Sequence, residues 1–422
     1  MDSPNTNRKQ KNLKDVLSDE QVDCIIRKML GSDGEWRVTS SEVKPAADGM
    51  TGFLGDHLRV TLNVAAGDVS KTIQLFIKRL PTDNPDKVDW IAEYNFFKKE
   101  AMVCELLDKL HSDNDTEPWC VKTLIATNSI VVMPDMRPLG YINCKLPTLD
   151  LPHLLLAAAS VARFHATTTN YEKNKVNQNK PWTFLQDHAE ILIDRQFNSS
   201  KDAPFMRASA KVTANVIKTF SNKYNEILDL ESRILKLFTR ASASLREHEN
   251  TLNVLLHKDL WNANILFRYE QGEPVSALII DYQCLCYGPP AFDLMILLCC
   301  TTSRTFRDQH ELTVLRHYYK VLTENFKDTT KQKLVELGYD AKEFLQWCEK
   351  ARMFAVMQAA AYYPFLMDPI TAQKVYDDPK KFKEVILTDR TVPVLEYCRQ
   401  NPWFLERLLE ISEEFVEKYL DK

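Results

Sequence analysis

Residues 254–267 read VLLHKDLWNANILF, and residues 277–283 read ALIIDYQ. Two apolar runs each deliver an aspartate, Asp259 and Asp281, and the first also delivers Asn264. An ionised carboxylate is costly to desolvate unless a cation sits beside it. Carboxylates placed at the ends of segments built for burial therefore imply a cationic partner.

Upstream of these runs the chain reads as strands. Only ten glycines occur in 422 residues, and four of them fall between positions 49 and 67. From Leu58 to Val64 the residues alternate: Leu58, Val60, Leu62 and Val64 face one way, the period of a half-buried strand. AAGD (65–68) predicts a turn and KTIQLFIKRL (71–80) a second strand, hence a hairpin. In that second strand Lys78 shares a face with Phe76 and Gln74, and Ile73, Leu75 and Ile77 take the other. A helix is expected through VDWIAEYNFFKKEAMVCELLDKL (88–110), where Phe96, Val103, Leu107 and Leu110 form a stripe that includes Glu100. Glu93 lies on the same stripe one heptad earlier, so helical phase does not choose between the two as a partner for Lys78. SIVVMPDM (129–136) reads as a strand entering a connector.

The flanks divide by composition. The first dozen residues are expected to be disordered, followed by an amphipathic helix in LKDVLSDEQVDCIIRKML (13–30). LPTLDLPHLLLAAASVARFHATTT (146–169) predicts a strong helix, and from residue 300 onward the pattern is almost wholly helical. The expectation is an α+β chain with a tail and helix over 1–34, a sheet-and-helix lobe over 35–136, and a larger helical lobe over 137–422.

Bulk properties exclude several classes. A net charge of -4 gives no reason to expect a nucleic-acid partner, because phosphate backbones need a basic surface. The N-terminal residues lack the apolar core of a signal peptide, and no run approaches the roughly 18 apolar residues of a membrane span. Ten cysteines diluted through such a chain read as reduced thiols, as in a cytoplasmic protein, and a monomer is expected. Cys284, Cys286, Cys299 and Cys300 cluster in sequence, but without zinc-site spacing. Cys299 and Cys300 sit within LMILLCC, as core thiols would.

The order Lys78, Glu100, His257-x-Asp259-x4-Asn264, Asp281 is the order of parts in a kinase active site, and it points to a protein kinase-like two-lobe fold. Lys78, on a strand, would bind the α- and β-phosphates of ATP, and Glu100 would pair with its ammonium from a helix. Asn264 and Asp281 would ligate Mg²⁺ through oxygen, as a hard cation demands. Asp259 would face the substrate hydroxyl and accept its proton. The implied cation is then Mg²⁺. The glycine segment DGMTGFLGDHLRV is less specific: Gly49, Gly52 and Gly55 fall at GxxGxxG spacing, where protein kinases use GxGxxG. It is either a plain turn before a strand or a loop over phosphates, and its place ahead of the hairpin and Lys78 favours the loop.

Over nearly its full length the sequence resembles the ecdysteroid kinase-like family, also called CHK kinase-like, related to choline kinases and aminoglycoside phosphotransferases. LFIKRLP, FFKKEAMVCELL, VVMPDMRPLGY, LLLAAASVARFHATT, HKDLWNANILF, IIDYQCLCYGPPAFDLMILL and FRDQHELTVLRHYYKVL carry the resemblance. The tryptophan two residues after Asp259 and the Asp-aromatic-Gln in place of DFG are typical of this family. The resemblance selects Glu100 over Glu93. It implies a hinge at 134–136, where the Pro134 carbonyl and the Met136 amide would meet adenine, and Gly52 and Gly55 near the phosphates. It also implies that Asp293 supports the catalytic loop, although a helix N-cap is the plainer reading of that residue. Three positions depart from the family: Lys258 stands where glycine is usual, Tyr282 where phenylalanine is commoner, and Pro134 where a glutamate is usual. None removes a group that phosphoryl transfer needs.

Other residues have plainer readings. His257 reads as a structural member of the loop, and His165 as a satisfied histidine near the lobe junction or a support for the loop. MFAVMQAAAYYPFLM (353–367) is either core or the wall of an apolar acceptor pocket.

PPAFDL arrives eight residues after Asp281 and leaves no room for the activation loop on which protein kinases dock peptides. The expected function is therefore an ATP- and Mg²⁺-dependent small-molecule kinase. The resemblance implies as acceptor an alcohol of an ecdysteroid or another steroid-like, lipophilic or foreign compound, for inactivation, storage or detoxification. A choline- or aminoglycoside-type kinase, a nucleotide-binding pseudokinase and a carrier of apolar ligands are the alternatives.

Overall fold

The computed structural model describes residues 12–32, 34–50, 52–110, 118–177, 180–197 and 203–420. The disorder expected of the N-terminal tail falls, Asn12 apart, outside the described residues. Where one helix is expected over 13–30, the chain makes a 3-10 turn (Leu13–Asp15) and then α1 (Asp19–Leu30), capped by Ser18 with Gln21 bonded back to it.

Strands β1 (Arg37–Pro45), β2 (Asp56–Ala66), β3 (Val69–Arg79), β4 (Ile125–Ala126) and β5 (Ile130–Pro134) form one antiparallel sheet, ordered β1-β2-β3-β5-β4. Val60 opposes Leu75 and Leu58 opposes Ile77, so the alternating apolar residues of the hairpin share a face. Val22, Ile25 and Ile26 of α1 belong to the core on that face. Each fully buried aliphatic side chain contributes about 1.5–3 kcal/mol, and a slip of one residue would turn the whole set outward. The register is therefore set, and it puts Lys78 on the opposite face. Strand β1 is not expected from sequence: only Val43 in it is buried, so RVTSSEVKP has no readable period.

The single helix predicted over 88–110 is two helices, α2 (Pro85–Glu93) and α3 (Phe96–Leu110). Asn95 between them takes φ +59°, a left-handed conformation that asparagine tolerates better than most residues. The break leaves Glu93 exposed and Glu100 buried.

The rest is mainly helical: α4 (Leu151–Asn174), α5 (Phe184–Leu192), α6 (Pro204–Phe220), α7 (Leu230–Ser242), α8 (Ala291–Thr301), α9 (Arg304–Glu324), α10 (Asp328–Leu337), α11 (Ala341–Tyr362), α12 (Pro369–Tyr376), α13 (Phe382–Leu387), α14 (Thr391–Gln400) and α15 (Pro402–Tyr419). Among them run short strands: β6 (Tyr141–Asn143), β7 (Val176–Asn177), β8 (Lys180–Pro181), β9 (Val254–Leu256), β10 (Ile265–Glu270), β11 (Glu273–Ile279) and β12 (Cys286–Gly288). β6, β10 and β11 form a small sheet, and β9 pairs with β12. Every residue of α8 is buried, Cys299 and Cys300 included, and all ten cysteines are free thiols. The sheet has its own apolar core with α1, distinct from the large core of the helical part. This is an α+β, protein kinase-like fold of two lobes. Among the described residues no helix is long and apolar enough to cross a membrane.

Candidate active site

The three buried residues of β9 carry the chain into the core, and the loop after them is fixed by side chains. His257 Nδ1 accepts the Asp259 N–H at 3.2 Å while Nε2 faces the Ile280 carbonyl at 3.0 Å, which assigns the ring proton to Nε2. Burial holds this imidazole below its usual pKa, so it stays neutral. The backbone N–H groups of His257 and Lys258 donate to the carboxylate of Asp293 at 2.6 and 2.8 Å. Asp293 lies in the first turn of α8 without capping it, since Pro290 occupies the cap position. His165 on α4 meets the same carboxylate through Nε2 at 3.0 Å and the Tyr318 hydroxyl on α9 through Nδ1 at 2.6 Å. Three helices thus hold one loop.

Lys258 adopts φ +62°, a conformation that costs a non-glycine residue roughly 1–3 kcal/mol. Its surroundings over-determine it. The N–H is held by Asp293, the carbonyl accepts from Gln358 Nε2 at 2.7 Å, and the ammonium lies 2.7 Å from Asp194 Oδ1.

On the sheet side, Lys78 Nζ donates to Glu100 Oε2, Asp281 Oδ1 and Gln283 Oε1, each at 2.7 Å. Burial alone would lower the Lys78 pKa, but the Asp281 and Glu100 carboxylates outweigh it and raise the ammonium above its ordinary value. Asp281 is itself left-handed at φ +70°, and the 3-10 turn Tyr282–Cys284 that follows swings Gln283 back toward the loop. There Gln283 Nε2 reaches Asp259 Oδ2 at 3.4 Å. Asn264 Nδ2 donates to the Asp259 carbonyl at 2.8 Å and to Oδ2 at 3.0 Å. Burial, and after it the Asp281 charge, pushes the Asp259 carboxyl up to about 7 against the pull of Gln283, Lys258 and Asn264. The Ile280 N–H donates to the Asn264 carbonyl at 3.0 Å, which joins the two loops directly.

The structure therefore gathers Lys78, Glu100, Asp259, Asn264 and Asp281 into one connected cluster, with His257 and Asp293 behind it. Gly52 and Gly55 lie alongside. A Cβ on Gly55 would come within 2.9 Å of the Arg79 carbonyl and 3.2 Å of Lys78 Cγ, and one on Gly52 within 2.4 Å of His57 Cε1. Pro134 ends β5 opposite Leu75 and continues into Met136, whose carbonyl accepts the Leu139 and Tyr141 N–H groups. Glu93 stands apart. Sequence reasoning missed Gln283 as a link, although it stands in the ALIIDYQ run that was read. It also missed Gln358 and Asp194, which have no local signal because they reach the loop from far along the chain.

With Asn264 Nδ2 committed to Asp259 and Asp281 Oδ1 to Lys78, Asn264 Oδ1 and Asp281 Oδ2 remain as oxygen donors. That pair fits a hard divalent cation. Among the described residues no group of three or more His, Cys, Asp or Glu side chains forms a metal cage. A cation held by this pair would take its other ligands from elsewhere, as Mg²⁺ does when it is shared with nucleotide phosphates and water.

Fold and cluster together define a kinase-like protein. Residues 50–330 match the ecdysteroid kinase-like family, and the chain belongs to that family. It is 26% identical over 252 residues to the uncharacterized kinase-like protein D1044.1 of Caenorhabditis elegans, a match spanning 60% of this chain and 61% of that relative. Solved structures similar to it include the streptomycin–ATP ternary complex of APH(2″)-IIa, at TM-score 0.34 and 11% identity, covering 80% of this chain and 98% of that one. The macrolide 2′-phosphotransferase MphH apoenzyme from Brachybacterium faecium aligns at TM-score 0.30 and 14% identity over 80% of this chain and 97% of its own.

Proposed function

We propose that the protein is an ATP- and Mg²⁺-dependent kinase that phosphorylates an alcohol hydroxyl of a small molecule, with ecdysteroids and other steroid-like, lipophilic or foreign compounds as the acceptor class. One observation carries the reading. Lys78 reaches Asp281 directly at 2.7 Å and Asp259 through Gln283, so the nucleotide side and the proton-accepting side form a single hydrogen-bonded unit. Family membership supports the acceptor class.

On this reading residues 35–136 form the nucleotide lobe, with adenine against Pro134 and Met136 and the loop of Gly52 and Gly55 over the phosphates. Residues 137–422 carry the catalytic loops. Lys78, kept charged and aimed by Glu100, binds phosphate oxygens. Asn264 and Asp281 would hold Mg²⁺, which when bound would neutralise charge on the phosphates. Asp259 orients the acceptor hydroxyl and takes its proton as the hydroxyl oxygen bonds to the γ-phosphorus and the bond from that phosphorus to the β,γ-bridging oxygen breaks, releasing ADP. His257 and Asp293 keep the loop in shape. We place the protein in the cytoplasm, a compartment in which ten free thiols persist, and take it to act as a monomer.

The test is phosphate transfer from labelled ATP by the purified protein to a panel of ecdysteroids, other steroid alcohols, plant phenols, choline and aminoglycosides. Transfer to steroid-like alcohols is expected. Preferred transfer to choline or an aminoglycoside would move the acceptor class. Stabilisation by MgATP with no transfer to any member would make the protein a nucleotide binder without turnover.

A further inference from the structure

Residues 194–197 lie beside the catalytic loop and have no role in the chemistry above. Asp194 Oδ1 is 2.7 Å from Lys258 Nζ and keeps 14% of its side chain exposed, while that of Lys258 is 1% exposed. Gln196 Oε1 accepts from Lys258 Nζ at 3.3 Å, from the Tyr362 hydroxyl at 3.1 Å and from Cys284 Sγ at 3.6 Å. Phe197 stacks on Tyr362 at 5.9 Å, with the Lys258 ammonium 5.1 Å from its ring centroid. Tyr362 and Phe365 are half-buried, and Phe365 meets Phe53 of the glycine loop at 4.9 Å. An aromatic wall thus runs from the residue next to Asp259 up to the loop over the phosphates. The carboxylate in it already has a cation, and Lys99 Nζ lies on the adjacent Ile193 carbonyl at 3.1 Å.

We propose that Lys258 discriminates between acceptors: by neutralising Asp194 beside the catalytic loop, it fits the acceptor site to uncharged ring alcohols and against cationic ones. The inference rests on the kinase reading and deepens it. A quaternary ammonium is held by an aromatic wall, and an unpaired carboxylate beside that wall adds Coulombic attraction. The wall is present, and the carboxylate is occupied. The strained backbone of Lys258 makes sense in the same terms, because the left-handed turn aims the side chain at Asp194 while Asp259 follows directly in the chain.

The experiment compares wild type, K258M and the double variant K258M/D194N with MgATP and two probes, 20-hydroxyecdysone and choline. It reads kcat/KM for each probe and each probe's stabilisation of the MgADP complex. The double variant removes both partners of the pair together and leaves Lys99, held on the Ile193 carbonyl, as the remaining nearby cation, so it is expected to fold where K258M, which strands Asp194, does not. In K258M the choline-to-steroid ratio is expected to rise at least tenfold while KM for MgATP stays within twofold. In the double variant the ratio is expected to fall back toward wild type. An unchanged ratio in K258M, a parallel loss for both probes and MgATP, or a wild type that neither binds nor phosphorylates the steroid overturns the inference. Wild type that MgATP fails to stabilise would instead bring down the kinase reading, and the inference with it.

Discussion

Asp259 shows how much one residue depends on its neighbours. Its Oδ2 is gripped by the amides of Asn264 and Gln283, and its carboxyl is pushed up to about 7 by burial and by Asp281. A group so placed can accept a proton, whereas an asparagine there keeps the shape and loses the base. The D259N variant is expected to lower kcat at least about a hundredfold, within the usual range for a general base, and to leave KM for MgATP within about threefold. Steady-state kinetics on an accepted alcohol checks this, and near-normal kcat would remove Asp259 from its assigned role. Lys258 teaches the complementary lesson. Its left-handed backbone explains why glycine would serve at that position, and its ammonium shows what a side chain adds there.

At the scale of elements, the hairpin of β2 and β3 and the glycine segment before it act as one part. The hairpin register puts Lys78 on the face opposite the apolar core, and Gly55 lies against the same strand. A methyl group added at Gly55 would meet the Arg79 carbonyl, a backbone atom that cannot step aside. The G55A variant is therefore expected to raise KM for MgATP about tenfold, since close backbone approach is what glycine permits, with kcat changed less than KM. A KM equal to wild type would separate this loop from the nucleotide. The hairpin was legible because its period is two. Strand β1 was not, because all of its residues but Val43 are exposed. The break between α2 and α3 was not, because one asparagine in a continuous helical pattern carries no stop signal strong enough to read.

For the whole molecule, ligand binding and stability are linked. If the cluster binds nucleotide through metal, MgATP at a hundredfold excess over its Kd should stabilise the fold by about 2.7 kcal/mol. D281N should reduce the gain to what ATP gives in the presence of a chelator. Denaturant titration with and without MgATP measures both, and equal gains for wild type and D281N would exclude Asp281 as a metal ligand. The bonds that make the site a unit cross long stretches of chain. Lys78 reaches Asp281 and Gln283, Asp293 holds His257 and Lys258 from α8, and Gln358 caps the Lys258 carbonyl from α11.

By itself, the amino-acid sequence determined the two-lobe α+β plan, the face on which Lys78 lies and the order of the cluster residues. Periodicity and short fixed spacings are local properties, and burial forces them on the chain wherever it folds. Periodicity left Glu93 and Glu100 open, and only the tertiary structure shows the Lys78–Glu100 contact, the Gln283 link from lysine to aspartate and the pairing of Asp194 with Lys258. Those contacts depend on a helix break, on two left-handed residues and on segments far apart in the chain, and no local pattern encodes which distant partner fills a given position.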